Sequence, residues 1–486
     1  MKRNLTDLLA TFAKGIAHSR TALFGAMLVT ALFPFLLGTL LYDVIWDMRN
    51  TYFAALAYLI LGPLVIIGLI LIFLGLFFFR GKEDVRLFTL AYLRDYFTDP
   101  TKFNRLRKLL FIFVFISCSM FCIFGVITYR SYSYMNTTSF CAEFCHMVMQ
   151  PQKVAHQNSP HSQVDCVKCH LGGNAKWFEK AKISGLQQVV NVLGHRYSTP
   201  IKTPIDHLRP DRSVCEECHR PGLFHGERLV VREKYLPDEL NTNVKTVMLF
   251  KVGSAGDRTV SPHGYHWHVA EENRLIYTSV DSDRMIIPTI SFKQSNDPEQ
   301  VFRTVDAEKL LAQTDADVQT REMDCMDCHN RPAHIYLSPD KALDLQLLSG
   351  NIPKELPYIK RQALELITRP YISQEEALSK IAAGLRSWYR NNYPDSNVES
   401  GIVGQAVLGV QAAYKENVFP NMQVGWDTYV DHIGHGEKFD RGCFRCHDGK
   451  HFNSKGKPIS NNCNTCHVIL AEDDPNPEIL RNLGGR

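Results

Sequence analysis

The chain has little net charge: 54 Lys and Arg stand against 50 Asp and Glu over 486 residues, a formal balance of +4. Without a basic excess there is no electrostatic case for a nucleic-acid partner. Two further absences divide the chain. No apolar run long enough to cross a bilayer occurs after Tyr129, and no cysteine pair followed by a histidine occurs before it. Nor does a small-residue cleavage pattern follow the first apolar run, which therefore reads as a retained anchor rather than a removed leader. Together these absences imply a membrane anchor followed by a water-soluble part in which cysteine and histidine carry the chemistry.

Three segments offer the roughly 20 uncharged, mostly apolar residues that a spanning helix needs: Thr21 to Tyr42, Phe53 to Phe79 and Leu109 to Thr128. The linker after the second carries Arg80, Lys82, Arg86, Arg94, Lys102, Arg105, Arg107 and Lys108, whereas the linker after the first carries Arg49 alone. Basic linkers stay cytoplasmic, so the N-terminus is cytoplasmic as well and everything beyond Tyr129 is exported. The expected location is the inner membrane, multi-pass, with the exported part on the periplasmic side. Cys118 and Cys122, at i, i+4 within the third span, have no following histidine and read as small apolar packing residues.

Beyond Tyr129 the motif C-x-x-C-H occurs five times: Cys166/Cys169/His170, Cys215/Cys218/His219, Cys325/Cys328/His329, Cys443/Cys446/His447 and Cys463/Cys466/His467. This is the spacing of covalent haem attachment: two thiols add to the vinyl groups and the adjacent imidazole lies beneath the iron. Zinc ribbons and disulfides also use cysteine pairs. Neither explains a histidine directly after the second cysteine every time. The stretch SFCAEFCHMVMQ carries a longer version, Cys141/Cys145/His146, with three residues between the cysteines. It reads as a sixth haem site with a bulged spacer, a local disulfide being the alternative. Its iron ligand is His146 or Met149, while Met147 reads as packing.

A six-coordinate haem needs a second axial ligand. Of 19 histidines, six follow the cysteine pairs, and His18 lies on the cytoplasmic side. The exported remainder are His156, His161, His195, His207, His225, His263, His266, His268, His334, His432, His435 and His451. That is twice the number needed, so about half are bystanders. The candidates chosen as ligands are His161, His195, His225, His266, His268, His334, His435 and His451. The sequence does not separate His266 from His268, which at i, i+2 in a strand would share a face. Mostly bis-histidine ligation implies low potentials and saturated irons, which favours electron transfer over chemistry on a substrate.

The predicted fold class is a membrane-anchored multihaem cytochrome c, with three N-terminal transmembrane helices and a mainly helical or irregular exported haem domain containing a small β-rich insertion. Residues 1–20 form the cytoplasmic N-terminus, 21–80 two spans, 81–107 the basic linker and 108–130 the third span. A three-haem region follows over 131–230, the insertion over 231–324 and a second three-haem region over 325–486. Within the insertion, NRLIYTSVDSDRMIIPTISFK alternates about a DSD turn as a hairpin does. Helical periodicity covers Ser338 to Asn391 and Glu399 to Asn417, and KWFEKAKISGLQQVVNVLG, from Lys176 to Gly194, reads as an amphipathic helix.

FCAEFCHMVMQPQKVAHQNSPHSQVDCVKCHLGG together with SVCEECHRPGLFHGERL resembles the NapC/NirT family of membrane-anchored multihaem cytochromes, over about Lys108 to Val231. The resemblance implies electron transfer from menaquinol or ubiquinol to periplasmic or outer-membrane cytochromes, and a first haem against the membrane beside a quinol pocket. One branch of the family ligates that haem with Met from C-x-x-C-H-x-M. Here the cysteine spacing is longer, Val148 stands where that Met would be, and Met149 follows one position late. Three anchor helices replace one, and six haems replace four. For the quinol, the nearest candidates for a proton acceptor and positioning cations are Glu179, Lys176, Lys180 and Lys182. Two other functions compete: an electron-transfer subunit of a larger respiratory complex without a quinol site of its own, and a multihaem reductase of oxyanions, which would need a five-coordinate haem.

Overall fold

In a computed structural model the described residues are 16, 19–46, 56–77, 100–143, 146–170, 187–188, 190–203, 211–220, 224, 226–253, 264–294, 297–313, 318–394, 400–436 and 438–484. They fall into two units, Met1–His146 and Met147–Arg486.

In the first unit the helix Arg20–Trp46 packs along Gly62–Phe77, which a short π-helical stretch, Leu56–Leu61, precedes. Small residues permit the approach. A Cβ at Gly75 would fall 2.4 Å from the Ala22 nitrogen, and one at Gly25 would fall 2.5 Å from the Gly68 carbonyl. Such close small-residue contacts are how helices associate where the surrounding medium is itself apolar. Among the described residues, Arg20–Tyr42 is the one helix long and apolar enough to cross a membrane, and Gly62–Gly75 is apolar but shorter. Of three expected spans, only the first meets both criteria here. The second begins at Phe53 and ends at Phe79, outside the described residues, and the third falls within the 36-residue helix Pro100–Met135. Cys118 and Cys122 on that helix are exposed.

The second unit mixes helices with two antiparallel sheets. Strands β1 (Glu227–Tyr235) and β2 (Asn243–Lys251) pair from Glu227 with Lys251 to Tyr235 with Asn243, and β8 (His467–Asp474) adds to the free edge of β2. In the other sheet, β3 (Asn273–Ser279) and β4 (Thr289–Gln294) form the hairpin expected around the DSD turn. Asp281 caps that turn by accepting from the Met285 and Ile286 amides at 2.9 and 2.7 Å. With β5 (Gln300–Arg303), β6 (Gln319–Glu322) and β7 (Phe452–Asn453) the order is β6-β3-β4-β5-β7. The expectation of a mainly helical or irregular body is therefore corrected to a mixed helix-and-sheet one. The C-terminal haem segment lends β7 and β8 to sheets begun in the insertion, so the insertion and the C-terminal region fold as one.

The helices Pro339–Leu348, Ile359–Ile367, Gln374–Asn392 and Ser400–Lys415 lie in the stretches of helical periodicity. Two begin at capping serines: Ser338 Oγ accepts from the Lys341 amide at 3.4 Å and Ser373 Oγ from the Glu376 amide at 3.1 Å. Their apolar faces close on Leu343, Ile359, Ile381, Leu385 and Val410, all essentially inaccessible. Buried within this layer, Lys360 Nζ donates to Asp344 at 2.8 Å, lies 3.0 Å from Asp340, and donates to the Tyr235 carbonyl, tying the helices to β1.

Candidate haem-binding centres

Each fully described cysteine motif folds as a single tight turn. The amides of His219, His329 and His447 donate to the carbonyls of Cys215, Cys325 and Cys443 at 2.7, 2.8 and 3.0 Å. This i, i+4 closure puts both cysteines and the histidine on one side of the turn, the geometry a thioether-linked macrocycle needs. Cys166–His170 is itself one turn of α-helix, with Cys166 and Cys169 both half-buried. At Cys325 the turn has its own cap: Asp324 accepts from the Met326 amide at 2.9 Å, while Asp327 inside the motif accepts from the Asp324 amide at 2.7 Å.

Like Cys328 and Cys463, Cys218 is exposed. Its amide donates to the Cys215 carbonyl at 3.2 Å, which keeps it in the turn, but its side chain is exposed where that of Cys215 is half-buried. The physical reason is local. The helix Asp211–Cys215 ends at the first cysteine, and the turn that follows carries Cys218, His219 and Arg220 out to the surface. A thiol must be accessible to add to a vinyl group, so exposure does not remove Cys218 from the attachment residues.

The longer motif is built differently. The helix Thr138–Glu143 contains Cys141 and stops before the second cysteine, and a new helix begins at His146. Cys145 lies outside the described residues, as does the side chain of His146.

Five motif histidines each face a histidine from elsewhere in the chain. Ring centres are 6.2 Å apart for His170 and His334, 6.0 Å for His219 and His161, and 6.5 Å for His329 and His266. For His447 and His268 the separation is 5.9 Å, and for His467 and His435 it is 6.3 Å. A metal–imidazole bond of about 2.0–2.1 Å, with the ring centre roughly 1.1 Å behind the nitrogen, puts two imidazoles on opposite sides of one metal at about 6.3 Å. The observed spacing is that of ligands sharing an iron.

Their hydrogen bonds point the same way. Nδ1 of His161, His334, His266, His268 and His435 meets the carbonyls of Pro332, Gln152, Val252, Tyr265 and Gly436 at 2.8 to 3.0 Å. A ring that donates from Nδ1 to a backbone carbonyl is held in the tautomer that leaves Nε2 as a metal ligand. Burial, first among the causes, lowers the pKa of His170, His266, His268, His329 and His467 and takes His334 down to about 4. The rings are therefore neutral near pH 7, as ligation requires.

The His266 and His268 turn depends on two glycines. A Cβ at Gly264 would sit 1.9 Å from the Cα of Gly253, which has a φ of +124°. Only glycine at both positions lets the 3-10 turn Tyr265–Val269 start against the end of β2, where the His266 amide meets the Val252 carbonyl. The two histidines of this turn face different motifs.

The remaining candidates are used differently. His451, 1% exposed, spends both ring nitrogens on the protein, Nδ1 on Asp448 at 3.0 Å and Nε2 on the Ile287 carbonyl at 2.6 Å. Neither nitrogen faces an open site for iron, so its place just after the Cys443 motif is structural. His156 lies 6.1 Å from His334, but its Nε2 is taken by the Val164 carbonyl at 3.0 Å. His432 is buried, burial and Arg445 pulling its pKa down to about 3. His195 takes a left-handed φ of 52° and its ring lies beside Tyr197. His225, His207, His263, Lys176, Glu179, Lys180 and Lys182 lie outside the described residues.

Neighbouring motifs also touch. The Cys215 thiol hydrogen-bonds Cys325 and so lowers the Cys325 pKa, while Cys328 and Cys466 both feel Cys443. The turns at Cys166 and Cys325 each pack on the one at Cys215. The sites beginning at Cys166, Cys215, Cys325, Cys443 and Cys463 therefore form an unbroken row in chain order. Sequence reasoning named His329 and His334 but not the way the segment between them ties this row together. It supplies His329, the Pro332 carbonyl that orients His161, and His334, while Asn330 bonds the Val430 carbonyl at 2.8 Å and the His432 amide at 2.9 Å. The signal was HNRPAH itself, with two histidines flanking an arginine.

The chain is 40% identical over 468 residues to a cytochrome c-type protein, ImcH, of Geobacter sulfurreducens, covering 95% of this chain and 90% of that one. It belongs to that family of c-type cytochromes. Covalently bound haem c is accordingly its cofactor, electron transfer is its activity, and the facing histidines and one-turn cysteine motifs fit that group. No family model matches the chain, and no solved structure matches it.

Proposed function

We propose that this chain is a six-haem, inner-membrane electron conduit that takes electrons from quinol and passes them to a periplasmic or outer-membrane cytochrome. The observation that carries the proposal is the set of five facing histidine pairs, in which each motif histidine has a partner at 5.9 to 6.5 Å. Haem supplies one-electron iron chemistry at each site. In this reading the paired histidines fill both axial positions at these five sites, so a reductase centre with an open iron would have to be the sixth.

In this reading His334, His161, His266, His268 and His435 are the distal ligands of the haems attached after Cys166, Cys215, Cys325, Cys443 and Cys463. The sixth haem is held by Cys141 and Cys145 with His146 or Met149 as ligand. It begins about a dozen residues after the third apolar segment, which keeps it near the exported membrane surface, where a quinol headgroup reaches its edge. Oxidation of one quinol releases two electrons, taken one at a time, and two protons. Glu179 would accept a proton, and Lys176, Lys180 and Lys182 would position the ring. The three apolar segments would all span, leaving the haem-bearing part outside.

The test is reduction of the purified chain in detergent by a menaquinol analogue. Substitution of Glu179 or Lys182 is expected to slow this reaction and leave reduction by dithionite intact. A chain that accepts no electrons from quinols of any potential until a native partner is restored would instead be a subunit of a larger complex.

A further inference from the structure

Arg331 is a half-buried cation without an anionic partner. Its Nη2 donates to Thr203 Oγ1 at 2.7 Å and its guanidinium carbon lies 4.6 Å from the centre of the Tyr429 ring. Its Nε is shielded from solvent with no hydrogen-bond acceptor. The contrast with the arginines near Cys328 is direct: Arg284 and Arg321 stand 3.3 and 3.5 Å from the Asp327 carboxylate. Asp283 and Asp431 act on Arg331 only as more distant charges, and burial lowers its pKa. A second orphaned donor lies beside the same tyrosine ring. The Tyr336 hydroxyl is buried without a partner, its ring 4.8 Å from that of Tyr429, and its pKa responds to the Arg331 charge.

Two unsatisfied donors beside one ring, one of them cationic, are costly unless an anion accepts from them. No protein carboxylate does so among the described residues. The anions that maturation brings to this region are the two carboxylates of each haem. Arg331 sits between His329 and His334, Tyr336 lies two residues beyond His334, and the charge on Arg331 depresses the His334 pKa. We infer that Arg331 Nε–H and Tyr336 O–H together bind a propionate carboxylate of the haem held between His170 and His334. The inference rests on the haem reading of that site and adds to it the group that fixes the rotation of the macrocycle and neutralises its charge. A cation retained beside the haem also favours the reduced iron, so Arg331 would raise that haem's potential.

The test uses full-length, haem-loaded protein carrying Arg331→Gln or Tyr336→Phe. Intact mass and the low-spin absorption spectrum report whether the haems and their ligands survive, and so test the underlying reading separately. Potentiometric titration, with redox-difference infrared spectra of the carboxylate band, tests the inference. Removing the cation should lower one haem's reduced-to-oxidised ratio at fixed potential by about tenfold, the scale of a charge acting through partly buried protein. Tyr336→Phe should move the same haem less, and Arg331→Lys should restore most of the change. In a His334→Met background, which displaces the potential of the haem at Cys166 and Cys169, the shift must appear on the displaced component. Unchanged titrations and carboxylate bands in both variants with full haem content, or a shift confined to a different component, would overturn the assignment. Should Arg331→Gln lose haem, Tyr336→Phe alone decides, by the same readouts.

Discussion

His268 faces His447 with ring centres 5.9 Å apart, while His266, two residues earlier on the same turn, faces His329 at 6.5 Å. One short 3-10 turn thus faces two cysteine–histidine motifs. His266→Met and His268→Met should each raise the potential of a single haem, because Met/His ligation lies above bis-histidine ligation, and the two variants should affect different haems. His451→Ala is the control. It should leave every axial ligand in place and cost about 2–3 kcal/mol of stability through the two lost buried hydrogen bonds. Redox titration resolved by component, with thermal unfolding, checks all three.

Haem content is the second prediction. Six cysteine pairs each precede a histidine, so the intact mass should exceed that of the polypeptide by six haems. A mass corresponding to five would remove Cys141 and Cys145 from the attachment sites.

Lys360, 2% exposed, should be among the most sensitive positions of the helical layer. Lys360→Met leaves the Asp344 carboxylate buried without its donor and should cost about 3–5 kcal/mol. Replacing both residues with apolar ones should recover much of that loss, because both desolvated charges are then gone. Denaturation midpoints of the two variants measure the difference.

Topology gives a fourth expectation. The basic residues cluster between the second and third apolar segments, so a reporter fused after Gly81 should behave as cytoplasmic and one fused after Ser131 as exported.

What could be read from the sequence was the chemistry that covalent bonds impose. Two thioethers and an adjacent imidazole fix the C-x-x-C-H spacing locally, so the attachment residues stand out without any fold. How far each thiol is covered does not follow from the motif: Cys218, Cys328 and Cys463 are exposed and the other described motif cysteines half-buried. Distal ligands carry no such local constraint either. His334 meets His170 and His161 meets His219 only because distant segments pack together, and proximity in sequence misled at His451, whose nitrogens serve Asp448 and Ile287. Its replacement near that site is His268, delivered by the Gly253 and Gly264 crossing. The sheet content was underestimated for a related reason. β8 reads HVILAEDD, with no alternation to betray it, and is a strand because the edge of β2 is there to pair with it.

The central claim is that the irons attached after Cys166, Cys215, Cys325, Cys443 and Cys463 are each held between two imidazoles. Electron paramagnetic resonance of the oxidised, full-length protein, with near-infrared magnetic circular dichroism, measures this most directly. The account predicts at least five low-spin haems with nitrogen–nitrogen axial ligation, and the sixth as either that or methionine–histidine. A high-spin, five-coordinate haem at any of those five sites would contradict it.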